Sequence, residues 1–220
     1  MSRYAANLNY LLHRHNVAAA DLAQQLGIRD LSHPMPDQLA GIAAHFHITA
    51  NLLLGELLEE KENLRSRDIQ LLVMDIDGVM TDGGMYYTES GDEFKKFNAK
   101  DGFAVRALAK RGVKTGIISH GFNTQLIENR AKRLHISLIE VSQVPKLETL
   151  SRWCSELGIT PAQVCFIGDD LNDEDILRAV GFSACPADAT AAVKEMVHVV
   201  LSRKGGDACL RELIDTYLLP

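Results

Sequence analysis

The sequence lacks the features of an exported, disulfide-bonded or membrane-embedded chain. Its four cysteines contain no C-x-x-C pair, so we interpret them as small buried side chains in a reducing compartment. The N-terminus, MSRYAANLNYLLHRH, lacks the apolar core of a signal peptide. The longest apolar runs are far shorter than a membrane span. A formal net charge of −6 also disfavours a nucleic-acid or anionic-membrane partner. These absences predict a cytoplasmic protein without a membrane partner.

What is present is the composition of a globular chain, with 46% apolar and 24% charged residues among 220. The pattern changes near residue 66, which predicts a small all-α domain at 1–66 and a second domain at 67–220. In the second domain strands and helices alternate. We therefore expect the α/β class, a Rossmann-like parallel sheet with helices on both faces. The run GGMYYTESGDEFKKFN after the first strand predicts a β-hairpin flap.

Polar side chains fall where the predicted strands end. The run LLVMDIDGVMTDGG closes a buried strand with Asp75 and Asp77, another strand ends at Ser119, and the acidic run GDDLND (168–173) follows a third. Lys146 begins a helix. Ligands of parallel sheets bind beyond the carboxyl ends of the strands, so we expect these groups to converge on one site.

Carboxylates two positions apart on an extended strand project to the same side, and they repel each other unless a cation neutralises them. Mg²⁺ prefers a few carboxylates together with waters and phosphate oxygens. One Asp can attack phosphorus while the other protonates the leaving oxygen and later activates water. Lys146 and Ser119 would hold the transferring phosphoryl group. Taken alone, D-x-D and GDD are commonly turns; their order and placement together favour phosphoryl transfer.

Four motifs in this order resemble those of the haloacid dehalogenase superfamily. DIDGVMTDG is similar to its first motif, D-x-D-G-V-x-T-D-G, while Ser119, Lys146 and GDDLND are similar to the second, third and fourth. Two further runs resemble the capless branch that contains the 3-deoxy-D-manno-octulosonate 8-phosphate phosphatases. They are KKFNAKDG and RKGGDACLRE, which contain Asn98, Asp101, Gly102 and Arg211. The resemblance covers residues 71 to about 215.

The resemblance implies a Mg²⁺-dependent phosphatase of a phosphorylated keto-acid sugar, feeding cell-surface lipopolysaccharide synthesis. Asp75 would be the nucleophile that forms an aspartyl phosphate, and Asp77 the general acid and base. The implied metal ligands are Asp75, the backbone carbonyl of Asp77, and Asp169, with Asp170 in support. Ser119 and Lys146 would bind the phosphoryl group. The implied substrate-binding residues are Asn98, Asp101, Gly102, His120 and Arg211.

The resemblance also implies a homotetramer. In that branch the flap hairpins form a central barrel, and tails from neighbouring subunits close the active sites. Tyr86 and Tyr87 in the flap suit such an interface. The alternative is that both tyrosines pack on their own hairpin.

The chain departs from the branch pattern at a few positions. The second motif usually runs T-G-R, and here it is Ser119-His120-Gly121-Phe122. His120 and Asn123 are the candidates to replace the missing arginine. Pro145 stands where an Asp usually precedes the lysine, and Ala208 where the tail usually has a glycine. The reaction class is unaffected, but the substrate stays open between the eight-carbon acid 3-deoxy-D-manno-octulosonate 8-phosphate, a nine-carbon relative and another small phosphoester.

The region 1–66 resembles a truncated phage-repressor type of helix-turn-helix domain, in which only RDLSHP replaces the recognition helix and its loop. It carries five Lys and Arg residues against seven acidic ones, whereas a DNA reader needs a basic face. We therefore expect a role in protein interaction, oligomerisation or lid formation. A ligand-sensing DNA-binding regulator with a vestigial enzyme domain is the alternative, but retention of Asp77 argues against it. The five histidines of this region are interpreted as scattered surface residues rather than a metal or pH-sensing cluster.

Overall fold

The computed structural model describes residues 2–55, 57–121 and 124–219. The chain divides into two compact units, residues 1–66 and 67–220, and each has a hydrophobic core of its own. The assignment of the first unit as a degenerate helix-turn-helix domain stays a prediction.

Helices are the only regular secondary structure in the described residues of the first unit. Its helices are α1 (Arg3–Arg14), α2 (Ala19–Leu26), α3 (Pro36–His45), α4 (Ala50–Leu54) and α5 (Leu58–Arg65). Between α2 and α3 the chain forms turns and bends. The buried side chain of Asn7 ties α1 to the last two helices, because it donates to the carbonyl of Leu53 (3.1 Å) and accepts from the amide of Leu58 (2.8 Å). Both ends of this amide are thus satisfied inside the core.

The second unit is built on a parallel sheet that has six strands within the described residues, in the order β5-β4-β1-β6-β7-β8. The strands are β1 (Leu71–Met74), β4 (Lys114–Ser119), β5 (Leu138–Val141), β6 (Val164–Ile167), β7 (Phe182–Cys185) and β8 (Val199–Val200). Every residue of β1 and β6 is buried, as expected for strands covered on both faces. Met74 pairs with Ile117 of β4 and with Ile167 of β6, so the carboxyl ends of these three strands lie side by side.

Helices cover this sheet. They are α6 (Ala99–Lys110), α7 (Thr124–Leu134), α8 (Lys146–Leu157), α9 (Glu174–Ala179), α10 (Ala191–Met196) and α11 (Cys209–Leu213). Alternate strand residues such as Leu71 and Val73 pack in one core with Leu150 and Trp153 of α8. The predicted α/β class with a parallel sheet is confirmed. In the described ranges, no helix combines the length and the apolar character that crossing a bilayer requires.

A small antiparallel hairpin follows β1, as predicted. Its strands are β2 (Tyr86–Tyr87) and β3 (Glu93–Phe94). The rings of Tyr86 and Phe94 stack with their centroids 5.4 Å apart. Nevertheless Tyr87 and Phe94 are 57% and 55% exposed. The hairpin therefore presents aromatic surface that the second unit does not bury.

The C-terminal segment packs on the loop that follows β1. A Cβ atom at Gly205 would lie 1.9 Å from the carbonyl oxygen of Gly78, so only glycine fits there. The amide of Gly206 donates to the carbonyl of Val79 (2.9 Å). Together these contacts fix the backbone of the loop that carries Asp77.

Candidate active site

Three adjacent strand ends bring polar side chains together. Asp75 follows β1, Ser119 ends β4, and Asp169 comes two residues after β6. The amide of Asp75 donates to the carbonyl of Ile167 (3.1 Å), which extends the β1–β6 pairing to the first carboxylate. Asp75 and Ser119 are buried, and Asp169 is half-buried. The parallel register of β1, β4 and β6 brings these residues together at one edge of the sheet, as the sequence predicts.

Lys146, the first residue of α8, is the buried cation of this cluster. Its Nζ lies 3.1 Å from Oδ1 of Asp75 and 2.5 Å from Oδ1 of Asp173, and its side chain is 1% exposed. Burial lowers the pKa of Lys146, but the two carboxylates outweigh it and the net shift is upward. Lys146 is therefore a fixed positive charge at the strand ends.

Asp173 anchors the acidic loop. Its Oδ2 accepts from the amide of Asp169 (3.1 Å) while its Oδ1 binds Lys146. A Cβ atom at Gly168 would lie 2.3 Å from Oδ2 of Asp173, so the glycine of GDDLND makes room for this carboxylate. The sequence places Asp173 in the acidic run but gives it no specific role, because its contact with Lys146 spans 27 positions.

One oxygen each of Asp75, Asp169 and Asp173 lies within 4.8 Å of the others. Burial raises the pKa of Asp75 to about 7, with Lys146 opposing and Asp173 adding to the shift. Burial also raises the pKa of Asp169 to about 7, reinforced by Asp75 and Asp173. Such a set of hard oxygen donors, crowded enough to hold protons, fits a divalent cation such as Mg²⁺. The carboxylate of Asp170 is exposed, accepts from the amide of Leu171 (2.8 Å), and lies outside this group.

Asp77 is held from the flap. Its Oδ1 accepts from Nζ of Lys95 at 2.6 Å, and the same Nζ lies 2.9 Å from Oε1 of Glu93. Burial lowers the pKa of Lys95, but hydrogen bonds to the two carboxylates reverse the shift, so its pKa is raised. Lys95 is the first residue of the run KKFNAKDG, but the sequence alone assigns it no role. The E-x-K spacing at the end of β3 is the pattern that could have indicated it, since residues two apart share a strand face.

A cavity of about 320 Å³ separates the flap from the strand ends. Met85, Tyr87 and Lys95 line it from the flap. Beside Asp75 and Asp77, the lining includes Ser119, His120, Gly121 and Asn172. The volume of this cavity, and its lining of both polar and apolar side chains, are typical of a small-molecule pocket.

Four of the predicted substrate-binding residues do not line this cavity. Asn98 caps α6 by accepting from the amide of Lys100 (2.9 Å). Asp101 is buried and accepts from the amide of Arg211 (2.8 Å); burial raises its pKa to about 6, partly offset by backbone amides. Gly102 lies against Arg130, whose Nη2 would be 2.9 Å from a Cβ atom there. The guanidinium of Arg211 binds Asp215 (2.5 Å). These residues join α6 to the C-terminal segment.

The positions that depart from the branch pattern are placed as follows. His120 lines the cavity, with Nε2 3.0 Å from the carbonyl oxygen of Val144. Asn123 lies outside the described residues. Pro145 is the N-cap of α8, directly before Lys146. Ala208 has a positive φ of 66°, a conformation that favours the glycine usual at that position.

Comparison with known proteins identifies relatives of this chain. The family model of haloacid dehalogenase-like hydrolases matches residues 118–213. The 3-deoxy-D-manno-octulosonate 8-phosphate phosphatase KdsC of Yersinia pestis is 38% identical over 155 residues, which are 70% of this chain and 82% of that protein. The corresponding Escherichia coli K12 enzyme is 34% identical, with the same coverage.

Solved structures give the same result. The crystal structure of the Yersinia pestis phosphatase superposes with a TM-score of 0.69 at 35% identity, covering 74% of this chain and 86% of that one. The Moraxella catarrhalis phosphatase, in complex with a magnesium ion, a phosphate ion and a KDO molecule, gives 0.70 at 30% identity, with 74% and 92% covered. The chain belongs to the haloacid dehalogenase-like hydrolases, in the family of 3-deoxy-D-manno-octulosonate 8-phosphate phosphatases.

Proposed function

We propose that this chain is a Mg²⁺-dependent phosphatase that releases inorganic phosphate from a phosphorylated keto-acid sugar. The observation that carries the proposal is the cluster of Asp75, Asp169 and Asp173 around Lys146 at the carboxyl ends of β1 and β6. The Moraxella catarrhalis relative binds a magnesium ion and KDO, and this chain carries a donor set of the kind Mg²⁺ prefers.

In the first step a carboxylate oxygen of Asp75 attacks phosphorus, and the bond from phosphorus to the sugar oxygen breaks. Asp77 gives its proton to that leaving oxygen. The phosphoryl group passes to Asp75 as an aspartyl phosphate. Lys146 and Ser119 bind the phosphoryl oxygens, and when Mg²⁺ is bound it neutralises charge on those oxygens and on the carboxylates.

In the second step Asp77, now ionised, takes a proton from water. The resulting hydroxide attacks phosphorus, and the bond from phosphorus to Asp75 breaks. Inorganic phosphate leaves, and both aspartates return to their starting states. Asp77 suits this double role because its carboxylate lies on the pocket side of the loop, beside Asp75 and the flap.

The substrate we favour is 3-deoxy-D-manno-octulosonate 8-phosphate, on which the curated relatives act. The nine-carbon acid phosphate stays in consideration, because the second motif lacks its usual arginine and His120 lines the pocket instead. The cavity volume of about 320 Å³ lies in the usual range for small-molecule sites. We place this reaction in the cytoplasm.

We further propose a homotetramer assembled through the flap. The hairpin exposes apolar side chains on both faces, Met85 and Tyr87 on the pocket face and Phe94 on the other, and exposed apolar surface of this kind is typical of interaction surfaces. Because Met85 and Tyr87 also line the cavity, a neighbouring subunit docked on the hairpin would close the site.

A phosphate-release screen tests the proposal. Phosphorylated aldoses, ketoses and keto-acid sugars are compared with Mg²⁺ and then with a chelator. We expect the highest kcat/KM with an acidic sugar monophosphate and loss of activity on chelation. Asp75→Asn should abolish turnover. BeF₃⁻, a mimic of the phosphoryl group, should bind the Asp75 carboxylate of the wild type but should not bind this variant. Full turnover by Asp75→Asn would refute the mechanism, and uniformly low rates across the panel would refute the substrate class.

A further inference from the structure

Lys95 is a half-buried residue that places a positive charge at the mouth of the pocket. Its side chain is only 5% exposed although it comes from a hairpin whose neighbouring side chains face solvent. The next residue, Lys96, is 68% exposed and lies 3.4 Å from Asp82. Two adjacent lysines therefore have opposite environments, and only Lys95 faces the reacting groups.

The contacts of Lys95 form a chain from the flap to the loop after β1. Glu93 holds Nζ from the flap side (2.9 Å), and Nζ in turn donates to Oδ1 of Asp77 (2.6 Å). Thr81 gives Asp77 only a long contact, 3.4 Å from Oγ1 to Oδ1. The shortest hydrogen bond that the structure gives the Asp77 carboxylate thus comes from another segment of the chain.

A carboxyl group that must hand a proton to one leaving oxygen has to keep one orientation. Misplacement of such a group by about 1 Å can cost about 100-fold in rate. A charge-assisted hydrogen bond is roughly twice as strong as a neutral one, so a lysine anchored at both ends fixes a carboxylate well.

We propose that Lys95, braced by Glu93, is a positioning residue that holds the Asp77 carboxyl group toward the leaving-group oxygen. This inference rests on the proposed function. The flap thereby takes part in the chemistry as well as in enclosing the substrate. Lys95 acts through Asp77 and need not touch the phosphoryl group.

The test uses leaving groups of different basicity. A sugar alkoxide must be protonated as it leaves, whereas nitrophenolate leaves readily without a proton. The parameter is kcat/KM, because it reports phosphoryl transfer to Asp75 and excludes the later attack of water. Lys95→Met should lower kcat/KM for the sugar phosphate by roughly 10- to 100-fold, part of the full effect of general acid catalysis. For nitrophenyl phosphate the loss should stay below about threefold.

Three further variants complete the experiment. Lys96→Met is the matched control, and it should leave both values unchanged. Lys95→Arg should recover much of the sugar phosphate activity, because it restores a cationic donor. Glu93→Gln should give the selective loss in weaker form. Thermal unfolding of each variant, compared with the wild type, identifies any loss of folding.

Equal losses on both substrates by a folded Lys95→Met variant would overturn the inference, as would the absence of any loss. These outcomes differ from failure of the proposed function, which would appear as full turnover by Asp75→Asn.

Discussion

The stabilising effect of Mg²⁺ should depend steeply on pH, because the carboxylates that would bind it hold protons in the protein alone. Asp75 and Asp169 both have pKa values raised to about 7. A raised carboxyl pKa means that the folded protein binds more protons than the unfolded chain between about pH 4 and pH 7. In the absence of Mg²⁺, these two groups therefore make stability fall as the pH rises through that window and add no further change above it.

The same values set the size of the effect. At pH 8 each carboxyl is about 90% ionised, whereas at pH 5 it is about 1% ionised. Displacing two protons weakens Mg²⁺ binding by about 10⁴-fold at pH 5. A concentration that is 100 times Kd at pH 8 stabilises the fold by about 2.7 kcal/mol. For a chain of this size, that corresponds to a rise in Tm of about 5 to 10 °C.

Thermal unfolding with Mg²⁺ and with a chelator, at pH 5 and pH 8, measures this shift. We expect the full rise at pH 8 and a rise below about 1 °C at pH 5. Asp169→Asn should abolish the rise at pH 8. Asp175→Asn, on the exposed surface of α9, should keep it. An equal shift at the two pH values, or a full shift in Asp169→Asn, would refute the reasoning.

Two further results are expected. Lys146→Met should abolish turnover and lower the free energy of unfolding by about 3–5 kcal/mol at pH 8, because it leaves buried carboxylates without their cation. The control Lys110→Met, at an exposed lysine of α6, should change neither turnover nor stability. Denaturant titration and an activity assay measure both quantities. Replacing Tyr87 and Phe94 together by Glu should dissociate the proposed tetramer and lower activity, since charges would enter the proposed interface. Light scattering measures this, with Val200→Glu on the exposed edge strand as the control, and an unchanged mass in the double variant would contradict the flap interface.

Much of the catalytic unit is predictable from local patterns. Alternating apolar runs and helices require a parallel sheet, and its register then brings Asp75, Ser119 and Asp169 to one edge. The hairpin follows from turn residues and aromatic alternation. These predictions depend on short-range periodicity, which the sequence displays directly.

The remaining features depend on contacts between distant residues. Lys146 meets Asp173 only because β6 lies next to β1, and Lys95 reaches Asp77 only because the hairpin folds back. Asp101 is another example: the hydrogen bond that it accepts from the amide of Arg211 spans 110 positions, so no local pattern indicates it. A motif shows which polar residues belong together, but packing decides whether they bind substrate or one another.

The contact of Gly205 with the carbonyl oxygen of Gly78 has a consequence for biosynthesis. The loop that carries Asp77 leaves the ribosome well before the glycines that brace it, because Gly205 and Gly206 come much later in the chain. Until that segment has been synthesised and docked, the nascent polypeptide has its nucleophile but lacks one wall of the reaction centre. Chains that terminate before Gly205 should therefore lack phosphatase activity even when their sheet has formed.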